Sequence, residues 1–526
     1  MEQEKTVDRQ QASVTPDHQQ QSPPGQTHKL VRNAFFNSFS WVASVIVNIV
    51  TIPIIVHYLG LEGYGIYALL TGLFGYFSLM DLGMGQGVVK YVAQYAGLND
   101  HDAVSHLVNG SFIVQLGIGL LGVAALWTFN DAIIRLLNVS DVYYADARDG
   151  LYISSVGFLV TMLMANFSNA LQGLQKYEVV GKANLFLSIL TTVATVVLLL
   201  WGGGLVGIIW ISVAGAVITF VVFVALLKRN FNEYRFSWKV PISHLKLLAA
   251  FGNFMLVSRI AHALNTYFIR YIVSAFVGPA AVTFIVVPTK LLSFLQGGIG
   301  SIAAVILPFA SESIARERQD EFRRLYLKAA RTVACISIPM FVFLIVYSRQ
   351  ILTLWMGNGF ADEVWVIQAI IGTTFMISSF TILPTNAILG LGLSKHVASF
   401  TAGVAVLSLL LCTVLTSAFG TIGAAAGVLA TQVMAFPFVW FVTVRTLSIP
   451  WKEYINESVS PCGPLSLWFL TLTVLSVLLF TFFGWESAIA PLVCGLFLIA
   501  MYFVMVQKQG LVSFVALGSS VGRIWK

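Results

Sequence analysis

Charge is what this 526-residue chain has least of: Asp, Glu, Lys and Arg together make up 10% of it, against 57% hydrophobic and 13% aromatic residues. A chain so poor in charge does not stay dissolved in water as a globular protein. Cysteine is scarce too, at four residues. Cys335, Cys412, Cys462 and Cys494 follow no metal-ligand spacing, and three sit inside apolar runs where a thiol acts as a small hydrophobe. Neither a disulfide nor a metal centre is expected. Also missing are a phosphate-cradling glycine loop, a nucleophile motif and any His/Cys/Asp cluster, so no cofactor is expected. The longest loop on the outer side, Asn130 to Gly150, carries Asp131, Asp141, Asp146 and Asp149, which a solvated acidic exterior explains. A membrane glycan polymerase or ligase normally needs a larger extramembrane part bearing acid/base groups, and fits poorly.

What is present is hydrophobic length. Spans of roughly 20 apolar residues recur from Asn33 almost to the C-terminus, each able to cross a hydrocarbon core about 30 Å thick. Breaks at Gly, Pro and charge clusters give fourteen expected transmembrane helices: 33–56, 64–95, 107–129, 151–171, 183–201, 205–227, 247–274, 281–310, 332–348, 364–390, 397–418, 423–444, 464–483 and 488–506. The fold class is an all-α polytopic membrane protein. Residues 1–29, Gln-rich and Pro-containing, read as a disordered cytoplasmic tail. The first apolar run is too long for a signal-peptide core and has no small-residue cleavage site, so it stays as an anchor.

The positive-inside rule tests the count. With both termini inside, 23 of the 30 Lys and Arg fall on the inner side, three (Arg135, Arg148, Arg349) on the outer, and four (Lys90, Arg259, Arg270, Lys290) within spans. A missed or invented span would mix the two sides. The formal charge of +7 therefore reports orientation, and no nucleic-acid partner is implied. On the inner side, Arg316 to Arg331 (RERQDEFRRLYLKAAR) reads as a solvated, amphipathic interfacial helix, with capture of anionic lipid headgroups as the alternative.

Three local matches share nearly one offset: NALQGL at 169–174 with NAILGL at 386–391, YLGLEGYGIY at 58–67 with FVGPAAVTFI at 276–285, and GLVGII at 204–209 with GTIGAA at 420–425. An even number of spans per repeat makes it a parallel one, and substrate sites in such transporters lie between the lobes near the midplane. The expected organisation is an N-lobe of six helices over 30–228, a C-lobe of six over 229–446, related by a parallel pseudo-two-fold, and a C-terminal pair over 447–526.

An ionisable side chain at mid-bilayer costs roughly 2.5 to 3.5 kcal/mol on insertion scales, so the intramembrane charges have to face water or one another. Lys90, late in span two, reaches the inner interface by snorkelling. Arg259, His262, Thr266 and Arg270 lie on one stripe of span seven, since 11 residues at 100° each return to nearly the same face. Lys290 lies deep in span eight, two residues past Pro288. Asp81 is the lone intramembrane acid, beside Gly83, Gly85 and Gly87. The stripe either lines a cavity or forms a structural network around Asp81. One carboxylate cannot neutralise three deep cations, which favours a cavity awaiting an anion, and guanidinium groups suit phosphate. His262 reads either as a packed histidine or as part of that lining. Asp81 reads either as a proton or cation coupling site or as a counter-charge.

These residues sit within segments that resemble the bacterial oligosaccharide-lipid flippases of the O-antigen type, in the multidrug, oligosaccharidyl-lipid and polysaccharide exporter superfamily. The likeness is carried by VRNAFFNSFSWVASVIVNIVTIPIIVHYLGLEGYGIYALL, YFSLMDLGMGQGVVKYVAQY and ILTLWMGNGF, and fourteen helices is also the number in the peptidoglycan-precursor lipid flippases. It implies an undecaprenyl-diphosphate-linked oligosaccharide moved from the cytoplasmic to the periplasmic leaflet of the inner membrane by alternating access. On that resemblance the diphosphate meets Arg259, Arg270 and Lys290 while the sugars occupy the cavity, with His262 a further substrate-binding candidate from its place on the stripe; the polyprenyl tail stays in lipid along the last two helices, and proton or sodium coupling and glycan-assembly partners are expected. A drug/cation antiporter of the same superfamily is the rival, but it would call for a negatively charged cavity.

Overall fold

Backbone amides have no water to bond inside a bilayer, so a chain this apolar has to satisfy them within helices or a closed barrel. The computed structural model takes the first course. It describes residues 47, 49–72, 84–249, 267–303, 306, 310, 319–391, 393–483 and 488–511, and among them every regular element is helical. In chain order these are α1 Ile49–Gly72, α2 Met84–Gly97, α3 His101–Thr128, α4 Asn130–Leu136, α5 Asp141–Gly173, α6 Tyr177–Leu200 and α7 Leu205–Asn230. There follow α8 Ile269–Phe276, α9 Pro279–Ala303, α10 Gln319–Val346, α11 Ser348–Met356, α12 Asn358–Gly390, α13 Ser394–Phe441, α14 Gly463–Phe482 and α15 Ile489–Lys508.

Eleven of the described helices are long and apolar enough to cross a membrane. Two hold a pair of expected spans each, because the turn between them is a single glycine bend: Gly60 (φ +72°) in α1 and Gly420 (φ 60°, ψ −140°) in α13. That left-handed backbone suits glycine. Adding α2 and α8, the far ends of spans two and seven, all fourteen expected spans contain helix. Two boundaries moved by ten residues or more. Asp141 to Gly150, expected as loop, forms the first turns of α5. Residues 319–331 open α10 instead of forming a separate interfacial helix. There Arg323 pairs with Glu453 through two nitrogens, and Arg331 Nη2 lies 2.8 Å from Glu457, so the charged face rests on segment 451–459.

The loops rich in Lys and Arg mark one end of the bundle, here called the basic end. The largest apolar core lies toward the other end and draws on both halves: Ile55, Leu59, Leu69, Ile134, Leu199 and Ile209 from one, Val273, Val282, Val286, Leu352 and Phe360 from the other. Toward the basic end each half keeps a core of its own. Val88, Val104, Phe167, Phe223 and Phe231 build the first, and Ala303, Phe322, Tyr326, Leu383 and Ile449 the second. Among the described residues, the halves are thus sealed together at the end opposite the basic one.

Four hydrogen bonds add direction to that seal, and in each a side chain of the second half donates to a main-chain carbonyl of the first. Tyr271 bonds Leu69 O at 2.9 Å, Thr283 bonds Leu61 O at 2.7 Å, Ser274 bonds Leu137 O at 2.6 Å, and Trp355 bonds Ile49 O at 2.9 Å. Gly65 lies against the Pro279 carbonyl so closely that a Cβ there would come within 1.8 Å of its oxygen.

The segment joining the halves is stitched to α3: Tyr234 donates to Asn109 Oδ1 (2.7 Å), Asn109 donates to Arg235 O (2.8 Å), and His244 packs its ring 5.5 Å from that of His106. Burial pushes the His244 pKa below the usual histidine value, with the His106 charge acting the same way and Asp100 opposing. α14 and α15 pack on α10 around Phe343, Tyr347, Phe469 and Tyr502. Here one expectation fails: Cys335 of α10 and Cys462 at the start of α14 form a disulfide, with Cα atoms 5.5 Å apart. They are 127 residues apart in sequence, and their meeting depends on segment 451–459 folding back under α10.

Candidate functional site

Because the halves meet at one end and part toward the other, a space is left between them. It has a volume of about 540 Å³, within the roughly 300 to 1,000 Å³ typical of small-molecule sites. The first half supplies Tyr64, Tyr67 and Thr71 from α1, a run of hydroxyls and one amide from α6, and Ser212 and Thr219 from α7. From the second half come Tyr267, Arg270 and Lys290.

Arg270 and Lys290, from two different helices, therefore line one cavity. They are near enough to act on each other electrostatically. The Arg270 guanidinium lies over the ring of Tyr267 at 5.3 Å and reaches toward the first half, where a Cβ on Gly72 would meet its Nη1 at 3.5 Å. Lys290 stands 11 residues past the start of α9, about 16 Å along the helix axis and so near mid-bilayer. It is exposed by accessible surface, though protein atoms surround it on nearly every side. The two facts agree for a group that projects into an enclosed wet space. Among the described lining residues there are two cations and no carboxylate.

Of the other sequence-derived site residues, Asp81, Arg259 and His262 lie outside the described residues. Lys90 is exposed on α2, seven residues from its end, with its ammonium 4.9 Å from the Tyr91 ring, and it does not line the cavity. Charge alone as a criterion missed the opposite wall. Asn184, Ser188, Thr191, Thr192 and Thr195 recur at helical spacing on one face of α6, while Phe186, Ile189, Val193 and Val197 occupy its exposed apolar face. That 3.6-residue pattern was available in the sequence. Tyr64 and Tyr67 carried no such signal, since in an apolar run a tyrosine reads as core.

Donor-only groups on one wall and neutral hydroxyls on the other suit a ligand that is anionic at one end and polar but uncharged at the other. Comparison with known proteins bears on which ligand. The profile of the family described as "Polysaccharide biosynthesis protein" matches residues 30–314, more than half of the chain. The "Putative O-antigen transporter" of Shigella flexneri is 23% identical over 403 residues, which cover 75% of this chain and 93% of that protein. The "Uncharacterized membrane protein EpsK" of Bacillus subtilis is 23% identical over 340 residues, 63% of this chain and 66% of that one. Among solved structures, the Lipid II flippase MurJ in an inward closed conformation superimposes with a TM-score of 0.68 at 14% identity, over 91% of this chain and 99% of that chain. An inward-facing multidrug resistance MATE family transporter of the MOP superfamily gives 0.66 at 15% identity, over 77% and 94%. At such identities what is shared is the fold.

Proposed function

Since the chain belongs to the polysaccharide biosynthesis protein family, we propose that it flips an undecaprenyl-diphosphate-linked oligosaccharide from the cytoplasmic to the periplasmic leaflet of a bacterial inner membrane. The observation that carries this reading is the cavity wall with Arg270 and Lys290 and, among the described residues, no acid. A drug/cation antiporter would want the reverse sign.

The basic end faces the cytoplasm in this reading, as the distribution of Lys and Arg requires. A diphosphate and its sugars cannot enter hydrocarbon without losing water that nothing replaces, whereas the polyprenyl tail need never leave it. The head group enters the cavity where the two halves part. Lys290 and Arg270 replace the water around the phosphates, joined by Arg259, whose spacing of 11 residues from Arg270 in the sequence is that of one helix face. The tail runs outside, along the face of α14 and α15. Release to the periplasm follows when the four cross-half hydrogen bonds and the shared apolar core at the far end come apart and the basic end closes. Asp81 serves in this reading as the coupling group or as the counter-charge to one of these cations. Nothing is made or broken covalently.

The test is glycan export by Lys290→Gln and Arg270→Gln in a strain lacking the native gene. Losing a charge-assisted hydrogen bond costs about 1.5 to 3 kcal/mol, so export should fall roughly 10- to 100-fold with membrane levels unchanged, and Lys290→Arg should restore most of it. Full export by both glutamine variants, or altered drug susceptibility with normal surface glycan in the deletion strain, would sink the proposal.

A further inference from the structure

The two walls of the cavity differ in what they can bond, and the difference assigns more than the anion. On α6 the polar face runs from Asn184 to Thr195, 11 residues or about 16 Å along the axis, and α7 sets Ser212 and Thr219 beside it. Gly215 lets the two helices approach, since a Cβ there would sit 2.6 Å from Thr191 Oγ1.

Four of these hydroxyls have already committed their proton to a carbonyl of their own helix. Thr191 donates to Leu187 O (2.8 Å), Thr195 to Thr191 O (2.9 Å), Ser212 to Ile208 O (2.9 Å) and Thr219 to Gly215 O (2.7 Å). Each keeps acceptor lone pairs directed away from that bond. Asn184, Ser188 and Thr192, on the same face, make no hydrogen bond to any described residue and bring donors as well as acceptors to the cavity wall.

An ionised phosphate only accepts, so the four committed hydroxyls offer it nothing; a sugar hydroxyl both donates and accepts, and can use their lone pairs together with the donors of Asn184, Ser188 and Thr192. The cations opposite are the reverse, all donor. Tyr64 and Tyr67, with ring centroids 6.2 Å apart, add aromatic surface between the two walls.

We infer that the polar face of α6 and α7 reads the glycan: Asn184, Ser188 and Thr192 hydrogen-bond the sugars nearest the diphosphate and set which saccharide is carried. The inference rests on the flippase reading and deepens it. A cavity of this volume takes the diphosphate with its first sugars and leaves a longer glycan to extend beyond it. Discrimination accordingly falls on the reducing-end residues of the saccharide.

Ser188→Ala combined with Thr192→Val is the informative variant, because neither hydroxyl makes a helix bond and valine keeps the shape of threonine. Two probes are titrated into the full-length protein in lipid nanodiscs: undecaprenyl diphosphate, and the lipid-linked oligosaccharide that accumulates in a strain deleted for this gene. They share the lipid and the diphosphate and differ in the sugars. The expected result is a roughly tenfold loss of affinity for the oligosaccharide form in the double variant, with undecaprenyl diphosphate bound as in the wild type. Lys290→Gln should weaken both probes. If the double variant binds both probes like the wild type, or weakens both equally, the glycan-reading role is overturned while the Lys290 arm leaves the flippase reading standing. If Lys290→Gln weakens neither probe, or no lipid-linked oligosaccharide accumulates, the flippase reading fails and takes this inference with it.

Discussion

Lys290 is held in α9 by neighbours that are almost all buried and apolar, among them Val286, Val287 and Leu292, while its own side chain opens into the cavity. Such a residue adds nothing to packing, and the cost of its charge is offset only by water or an anion. The glycines of the interface work the other way, by being absent. At Gly65 the nearest neighbour of a new Cβ would be main-chain oxygen, which cannot rotate aside. Gly65→Ala should keep the two halves from meeting at the far end. Export should be lost at normal membrane levels, and a cysteine placed at Leu61 should become open to a water-soluble maleimide. Gly215→Val, pushed against Thr191, should lower the thermal midpoint of the purified protein by an amount matching about 1 to 3 kcal/mol of overpacking. The thiols give a third check at this scale. Alkylation of denatured, unreduced protein should label Cys412 and Cys494 only, and reduction should raise the count to four.

Among the elements, α8 and α9 matter most, because each carries both a cation of the cavity and a hydrogen-bond donor of the seal. Arg270 and Tyr271 are adjacent; Thr283 and Lys290 lie two helical turns apart. In the proposed cycle, occupation of the cations would be felt at the seal through these helices. Tyr271→Phe with Thr283→Val removes two of the four cross-half donors, at about 0.5 to 1.5 kcal/mol each, and should shift the population roughly 5- to 150-fold toward the state open at the far end. The check is a raised rate of maleimide labelling at the same Leu61→Cys site. The joining segment offers a pH test. His244 is held neutral by burial, so its docking against His106, Tyr95 and Asp100 is favoured above the ordinary histidine value of 6.5 and weakens as pH falls below it. Protease cleavage within residues 231–241 should therefore quicken between pH 7.5 and 5.5, and less so in His244→Gln.

Across the described residues, one apolar core is shared between the halves at one end and each half keeps its own at the other, so the proposed cycle would have to exchange the shared core. Interfaces of this kind are bistable because packed side chains have discrete arrangements. Joining Leu61→Cys to Thr283→Cys across the seal, in a background with Cys412 and Cys494 changed to serine, should stop export on oxidation and restore it on reduction. Continued export by the oxidised protein would mean that the halves do not separate at this end.

Span number, glycine turns such as Gly60 and Gly420, and the placing of Arg270 and Lys290 within apolar spans were legible in the amino-acid sequence by itself. Their physics is local: hydrocarbon thickness sets a helix length, a missing Cβ permits a bend, and a charge in an apolar run is costly wherever it ends up facing. The polar face of α6 was legible too, though as spacing and not as charge. Which cysteines join, which face of α10 rests on segment 451–459, and which end of the bundle is sealed were decided by the tertiary structure alone. Each depends on surfaces brought together from more than a hundred residues apart, where whether two groups meet is settled by the packing of everything between them.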